Sequence, residues 1–181
     1  MGTRKTLVVC LSVVCLTSLR AADAADGGLG LPMGAPNPGP VRIQDRFTAA
    51  AVRGALEGAG RRLRHPGCQA VFAEFADAHG RSLEQNLLAK GETVGTYIEN
   101  QMLFYDGQEK GRCQRPSVMA YTEPGSRVVL VCGRAFQSAY WGNARLAEAV
   151  LIHETLHSLG LGENPPSSGE ITARVLKKCR H

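Results

Sequence analysis

Leu146-Ala-Glu-Ala-Val-Leu-Ile-His-Glu-Thr-Leu-His-Ser-Leu159 contains neither proline nor glycine and reads as one helix. The run from Ala147 to Ile152 is mostly apolar and has to be buried, so at least part of this helix lies inside the fold. At 3.6 residues per turn His153 and His157 stand one above the other on the same face. Two imidazoles in that relation can bind one metal ion, and Zn²⁺ suits them best. Glu154 sits one position round from the first histidine, where it reaches a zinc-activated water without being a ligand. The spacing therefore predicts hydrolytic zinc chemistry, with a carboxylate base and a water whose pKa the metal lowers to about 7.

Two histidines do not complete such a site, because catalytic zinc usually has three protein ligands and an open fourth position. The one later histidine, His181, is the terminal residue and a poor candidate on grounds of order. His153-Glu-Thr-Leu-His-Ser-Leu-Gly-Leu-Gly-Glu163 resembles the zincin metallopeptidases, and most closely their metzincin branch. There a glycine ends the helix three residues after the second histidine, as Gly160 does here, and the third ligand follows three residues later. That position is Glu163. The gluzincin branch places its third ligand, a glutamate, on a following helix, and Glu170 occupies such a place. Ser167-x-x-Glu170 is also a helix capping box, which accounts for Glu170 without a metal and favours Glu163. The chain departs from the metzincin pattern in having no methionine after Met119, so the methionine-containing turn beneath the metal is absent or replaced.

The resemblance implies a secreted zinc-dependent metallopeptidase that hydrolyses peptide bonds, with Glu154 as general base, His153 and His157 as ligands, and Glu163 or else Glu170 as the third. The expected partner is a peptide or protein substrate, or a cell-wall peptide amide. The strand-like run Arg127 to Cys132 is a candidate to pair with an extended substrate. Tyr140 or Trp141 is a candidate to line the cleft, against core or rim packing as the plainer role. The alternative is a non-catalytic exported module, binding or envelope-associated, with a relic or structural metal site. An intact Glu154 argues against it, since a closed structural site needs no base.

The N-terminus supports export. Arg4 and Lys5, the apolar run Thr6 to Leu19 and Ala22-Asp23-Ala24 have the order of a secretory signal peptide, residues 1–24. The apolar run is too short to span a bilayer well, and no later segment is apolar enough, so no membrane span is expected. Residues 25–42 are rich in glycine and proline and read as a flexible lead-in. Cys10 and Cys15 leave with the signal, and Cys68, Cys113, Cys132 and Cys179 remain, an even set that suggests two disulfides in an oxidising compartment, secreted or periplasmic. Cys113 and Cys132 flank a predicted hairpin and are paired on that ground, which leaves Cys68 with Cys179. The formal charge of +5 includes the signal's cations and is otherwise spread out. Arg61, Arg62 and Arg64 read as a solvated helix end, and with no interleaved aromatics nucleic acid is not an expected partner.

The remainder, residues 43–181, reads as one α+β domain: N-terminal helices, a short antiparallel sheet or hairpin, the motif helix and a short C-terminal helix. Asp45 caps a helix to about Arg64 with Phe47, Val52, Leu56, Ala59 and Leu63 as its apolar stripe, and Gly54, Gly58 and Gly60 within it mark a close helix crossing or weaken the helix. A second helix is expected over Cys68 to Ala78, and a third opens at Ser82. Val94 to Tyr105 is read as containing an extended piece, Ser117 to Tyr121 and Arg127 to Cys132 as strands joined by a Pro-Gly turn, and Gly133 to Gly142 as a loop. Asn143 caps the motif helix and Ser167 the last one.

Overall fold

Asp45 begins the ordered helical layer as expected: its carboxylate accepts from the Thr48 N–H and opens α1, Arg46–Leu63. The structure, a computed structural model, describes residues 40–180. The expected signal segment, most of the glycine- and proline-rich lead-in and His181 lie outside the described residues. The buried face of α1 is built mainly from small residues, including Ala51, Ala55, Gly58 and Ala59. That lets two later helices come close. The Tyr140 hydroxyl occupies the space a methyl group would fill at Gly54, and the Glu148 carboxylate does so at Gly58. Phe47, expected in the apolar stripe, is instead 56% exposed, with the Arg46 guanidinium lying 4.8 Å from its ring centroid.

The chain then breaks into short pieces. In place of one helix over Cys68 to Ala78 there is α2, Pro66–Gln69, followed by a single 3₁₀ turn, Ala70–Ala73. Phe75 accepts a hydrogen bond from the Leu83 N–H, and Ala76 bridges to Ser82, which takes the backbone out of helical register. Ser82 opens α3, Leu83–Ala89, with both halves of a capping box. The extended piece expected within Val94 to Tyr105 is present from Leu103 onward, and it is preceded by a helix, α4, Val94–Asn100. Its cap is a Thr93–Thr96 pair rather than the usual Ser-x-x-Glu, and Val94, Tyr97 and Ile98 face the core.

Four strands make one sheet in the order β1-β2-β4-β3. They are β1, Val41–Arg42, β2, Leu103–Asp106, β3, Ala120–Thr122, and β4, Val128–Val131. The expected hairpin is present as the antiparallel β3–β4 pair. The sheet is nevertheless mixed rather than antiparallel, since β1, β2 and β4 run parallel. Val41 and Arg42, within the expected lead-in, join it as β1. Phe104, Val129, Val131, Ala120 and Thr122 face the core, while the register row Arg42, Tyr105, Leu130 and Tyr121 lies on the other face.

After β4, residues 133–142 form helix α5, Gly133–Gly142, where a loop was expected. Phe136 and Tyr140 are four residues apart on the face that packs inward, and tertiary contact with α1 outweighs the weak helical preference of the glycine ends. Tyr140 packs against the core, whereas Trp141 is 67% exposed and meets Tyr140 edge-on. The motif helix α6, Ala144–Ser158, follows at once, capped by Asn143, and α7, Ser168–Lys178, closes the fold under the Ser167 capping box. The disulfides are Cys68–Cys179 and Cys113–Cys132, the two pairings expected. Arg62 is not a solvated cation. It is drawn into an ion pair with Glu148, and its Nη1 donates to the Cys179 carbonyl at 2.8 Å, which joins α1, α6 and the end of α7. Among the described residues no helix is long and apolar enough to cross a membrane.

Candidate metal centre

Every residue of α6 from Ala147 to Ser158 is buried. A helix apolar all round is one enclosed by its fold, and here α1, α5, α7 and the sheet surround it. The polar residues left inside it are Glu148, His153, Glu154, Thr155, His157 and Ser158. Most have plain explanations: Glu148 pairs with Arg62, while the Thr155 and Ser158 hydroxyls donate to backbone carbonyls of their own helix. His153, Glu154 and His157 do not.

The Nε2 atoms of His153 and His157 lie 2.8 Å apart. Glu163 Oε1 is 3.3 Å from the His157 Nε2 and 3.8 Å from the His153 Nε2. The loop that delivers Glu163 is shaped by the helix end. Gly160, at φ 110°, turns the chain where a side chain would be strained. The Leu161 carbonyl then folds back to accept from His157 Nδ1 at 2.8 Å. A carbonyl accepts only, so the proton of a neutral His157 is on Nδ1 and its Nε2 carries a lone pair. That lone pair faces the Glu163 carboxylate. Two acceptors at this separation repel unless a cation, a proton or a metal ion, lies between them. The three groups can hold a metal ion, and their ligand atoms all lie within 4.8 Å of one another. Burial, with the charge of His157, holds the His153 pKa down at about 3, which keeps its ring neutral and able to bind metal.

Glu170 is placed elsewhere. Its Oε2 accepts from the Ser167 N–H at 2.8 Å and from the Ser167 hydroxyl at 2.7 Å, and these bonds lower its pKa. The capping box thus occupies the carboxylate that was the alternative third ligand.

Glu154 is 4% exposed, and burial raises its pKa to about 8. Thr122 of β3 opposes the rise, the Glu163 charge adds to it, and Arg112 opposes it. Yet neither Glu154 Oε2 nor Thr122 Oγ1 has a hydrogen-bond partner among the described residues. The strand beside Glu154 is therefore β3, at the edge of the sheet. The run Arg127 to Cys132 provides β4, which is flanked by β2 and β3 and has no free edge to offer a peptide.

Three supporting residues escape a reading of the sequence. Thr172 Oγ1, from α7, is 2.8 Å from His153 Nδ1. Asn86 Nδ2 donates to the Leu159 carbonyl at 3.0 Å and to Asp77 Oδ2 at 2.9 Å, bracing the end of α6 from the α3 side. Asp77 also accepts from the backbone of His79 and Arg81, and with Asn86 as the largest cause its pKa is well below the usual carboxylate range. An aspartate followed by Ala-His-Gly-Arg carries a turn signal, but nothing local marks Asn86 or Thr172 as neighbours of α6. No protein-family model, curated protein or solved structure matches the chain.

Proposed function

We propose that the protein is an exported zinc-dependent peptidase. The observation that carries the reading is Glu154: a buried carboxyl, with an oxygen that has no hydrogen-bond partner, on the same helix as two converging imidazoles. A structural metal site gains nothing from such a group, and an unpartnered buried polar atom destabilises a fold by about 1–3 kcal/mol. A base in a hydrolytic site needs a carboxyl whose hydrogen-bonding capacity is not already taken up by the fold.

His153, His157 and Glu163 would hold the zinc, an N₂O set that leaves a position for substrate. When bound, zinc polarises a substrate carbonyl and lowers the pKa of water. The chain's own residues do the rest. An extended peptide adds to the edge strand β3 by backbone hydrogen bonds, which brings its carbonyl alongside Glu154. Glu154 Oε2 takes a proton from the attacking water and delivers it to the leaving nitrogen as the C–N bond breaks. Its burial favours the protonated state, so the proton is held rather than lost to solvent between the two transfers. The disulfides fit an oxidising compartment outside the cytosol.

The test is hydrolysis of a mixture of unstructured peptides by the purified mature chain, with zinc, with a chelator, and with Glu154→Gln in zinc. Cleavage only by the zinc-loaded parent supports the reading. Zinc binding without cleavage of any peptide, by parent and variant alike, refutes the peptidase activity.

A further inference from the structure

We infer that Thr172 is a positioning residue of the metal centre, holding the His153 ring through its hydroxyl; this rests on the metal-binding reading above. The two histidines are held differently. His157 Nδ1 faces the Leu161 carbonyl, which accepts only and fixes the proton there. His153 Nδ1 faces the Thr172 hydroxyl at 2.8 Å, and a hydroxyl both donates and accepts. The two Nε2 atoms converge to 2.8 Å. For His153 Nε2 to offer its lone pair to a metal, the proton of the ring must reside on Nδ1, where the Thr172 hydroxyl accepts it.

For a hydroxyl to hold a ring in place, its own element must be fixed, and α7 is fastened along its length. Ile171 and Val175 are fully buried. Arg145 on α6 donates to the Leu176 carbonyl at 2.7 Å, Glu74 pairs with Lys178, and Cys179 is bonded to Cys68. Thr172 itself is half-buried beside the ring, next to Ile171 on the inward face. Hydrogen-bond partners behind ligating histidines typically contribute 10- to 100-fold to metal affinity.

The experiment compares the parent with Thr172→Val and Thr172→Ser. Zn²⁺ affinity is measured by competition with a chromogenic chelator, the Co²⁺-loaded forms by visible absorption, and the metal-free forms by thermal melting. Thr172→Val is expected to bind zinc about 10- to 100-fold more weakly and to shift the Co²⁺ bands, with a metal-free melting temperature only a few degrees below the parent's. Thr172→Ser, which keeps the hydroxyl, is expected to restore most of the affinity. Parent-like affinity in Thr172→Val overturns the inference while leaving the metal site standing. Equal losses in both variants, tracking a drop in metal-free melting temperature, also overturn it, by showing a role in packing alone. A parent chain that binds no zinc overturns the metal site itself, and this inference with it.

Discussion

Glu154→Gln separates two buried groups whose effects on stability run in opposite directions with pH. In the metal-free protein the Glu154 pKa stands at about 8, against an ordinary value of 4.5. A carboxyl raised by folding stabilises fully below 4.5, and that contribution is lost as pH rises toward 8. The His153 pKa stands at about 3 against 6.5, so its neutral ring destabilises the fold relative to the unfolded chain as pH falls below 6.5. Each group changes stability by about 1.4 kcal/mol per pH unit within its window. Between pH 4.5 and 6.5 the two nearly cancel and the metal-free parent has a plateau. From 6.5 to 8 only Glu154 acts, and the parent loses about 2 kcal/mol, or roughly 4–8 °C in Tm. Glu154→Gln removes the ionisation while keeping the shape. Its stability should rise from pH 4.5 to 6.5 and then stay level. The assay is thermal melting in chelator across this range, repeated with zinc, where a positive ion beside Glu154 should flatten the parent's fall. Parallel curves for parent and variant above pH 6.5 would refute the placement of Glu154 as a buried proton-holding group.

Glu163→Gln should weaken zinc binding measured by chelator competition, whereas Glu170→Gln should leave it unchanged and lower only the melting temperature, because Glu170 is taken up by the Ser167 cap. The reverse pattern would move the third ligand onto α7. Gly58→Ala puts a methyl group where the Glu148 carboxylate lies and should destabilise by about 1–3 kcal/mol in urea denaturation. Replacing Cys68 and Cys179 together by serine should lower stability by about 2–5 kcal/mol, read in the same way.

The features legible in the sequence are those set by short-range geometry. The two histidines share a face because the helix period makes them do so, and Gly160 ends that helix because the turn needs a positive φ. The caps at Asp45, Ser82, Asn143 and Ser167 are local hydrogen bonds between residues about three apart, and all are present. The cysteine pairing followed from one hairpin and from elimination. What escaped depends on contact between distant segments. Residues 133–142 are helical because Phe136 and Tyr140 have α1 to pack against, and residues 94–100 because Val94, Tyr97 and Ile98 pack into the core beside α1. The parallel strands left no mark, since β1 is two residues long and parallel neighbours are joined only through intervening elements. Arg62 looked like a surface cation until Glu148, 86 residues away, took it inside. The candidate metal site divides in the same way: His153, Glu154 and His157 are one local pattern, whereas Thr172, Asn86 and Thr122 reach it from three other elements.

The central claim is that His153, His157 and Glu163 hold one zinc ion with a position left open. X-ray absorption at the zinc edge, with metal content measured on the same sample, tests it most directly. The account predicts one zinc per chain with two imidazole nitrogens at about 2.0–2.1 Å and a carboxylate oxygen at about 2.0–2.2 Å. It also predicts loss of the imidazole signal in His153→Ala and of the carboxylate in Glu163→Gln. A chain that takes up no zinc, or a signal unchanged by either substitution, would contradict it.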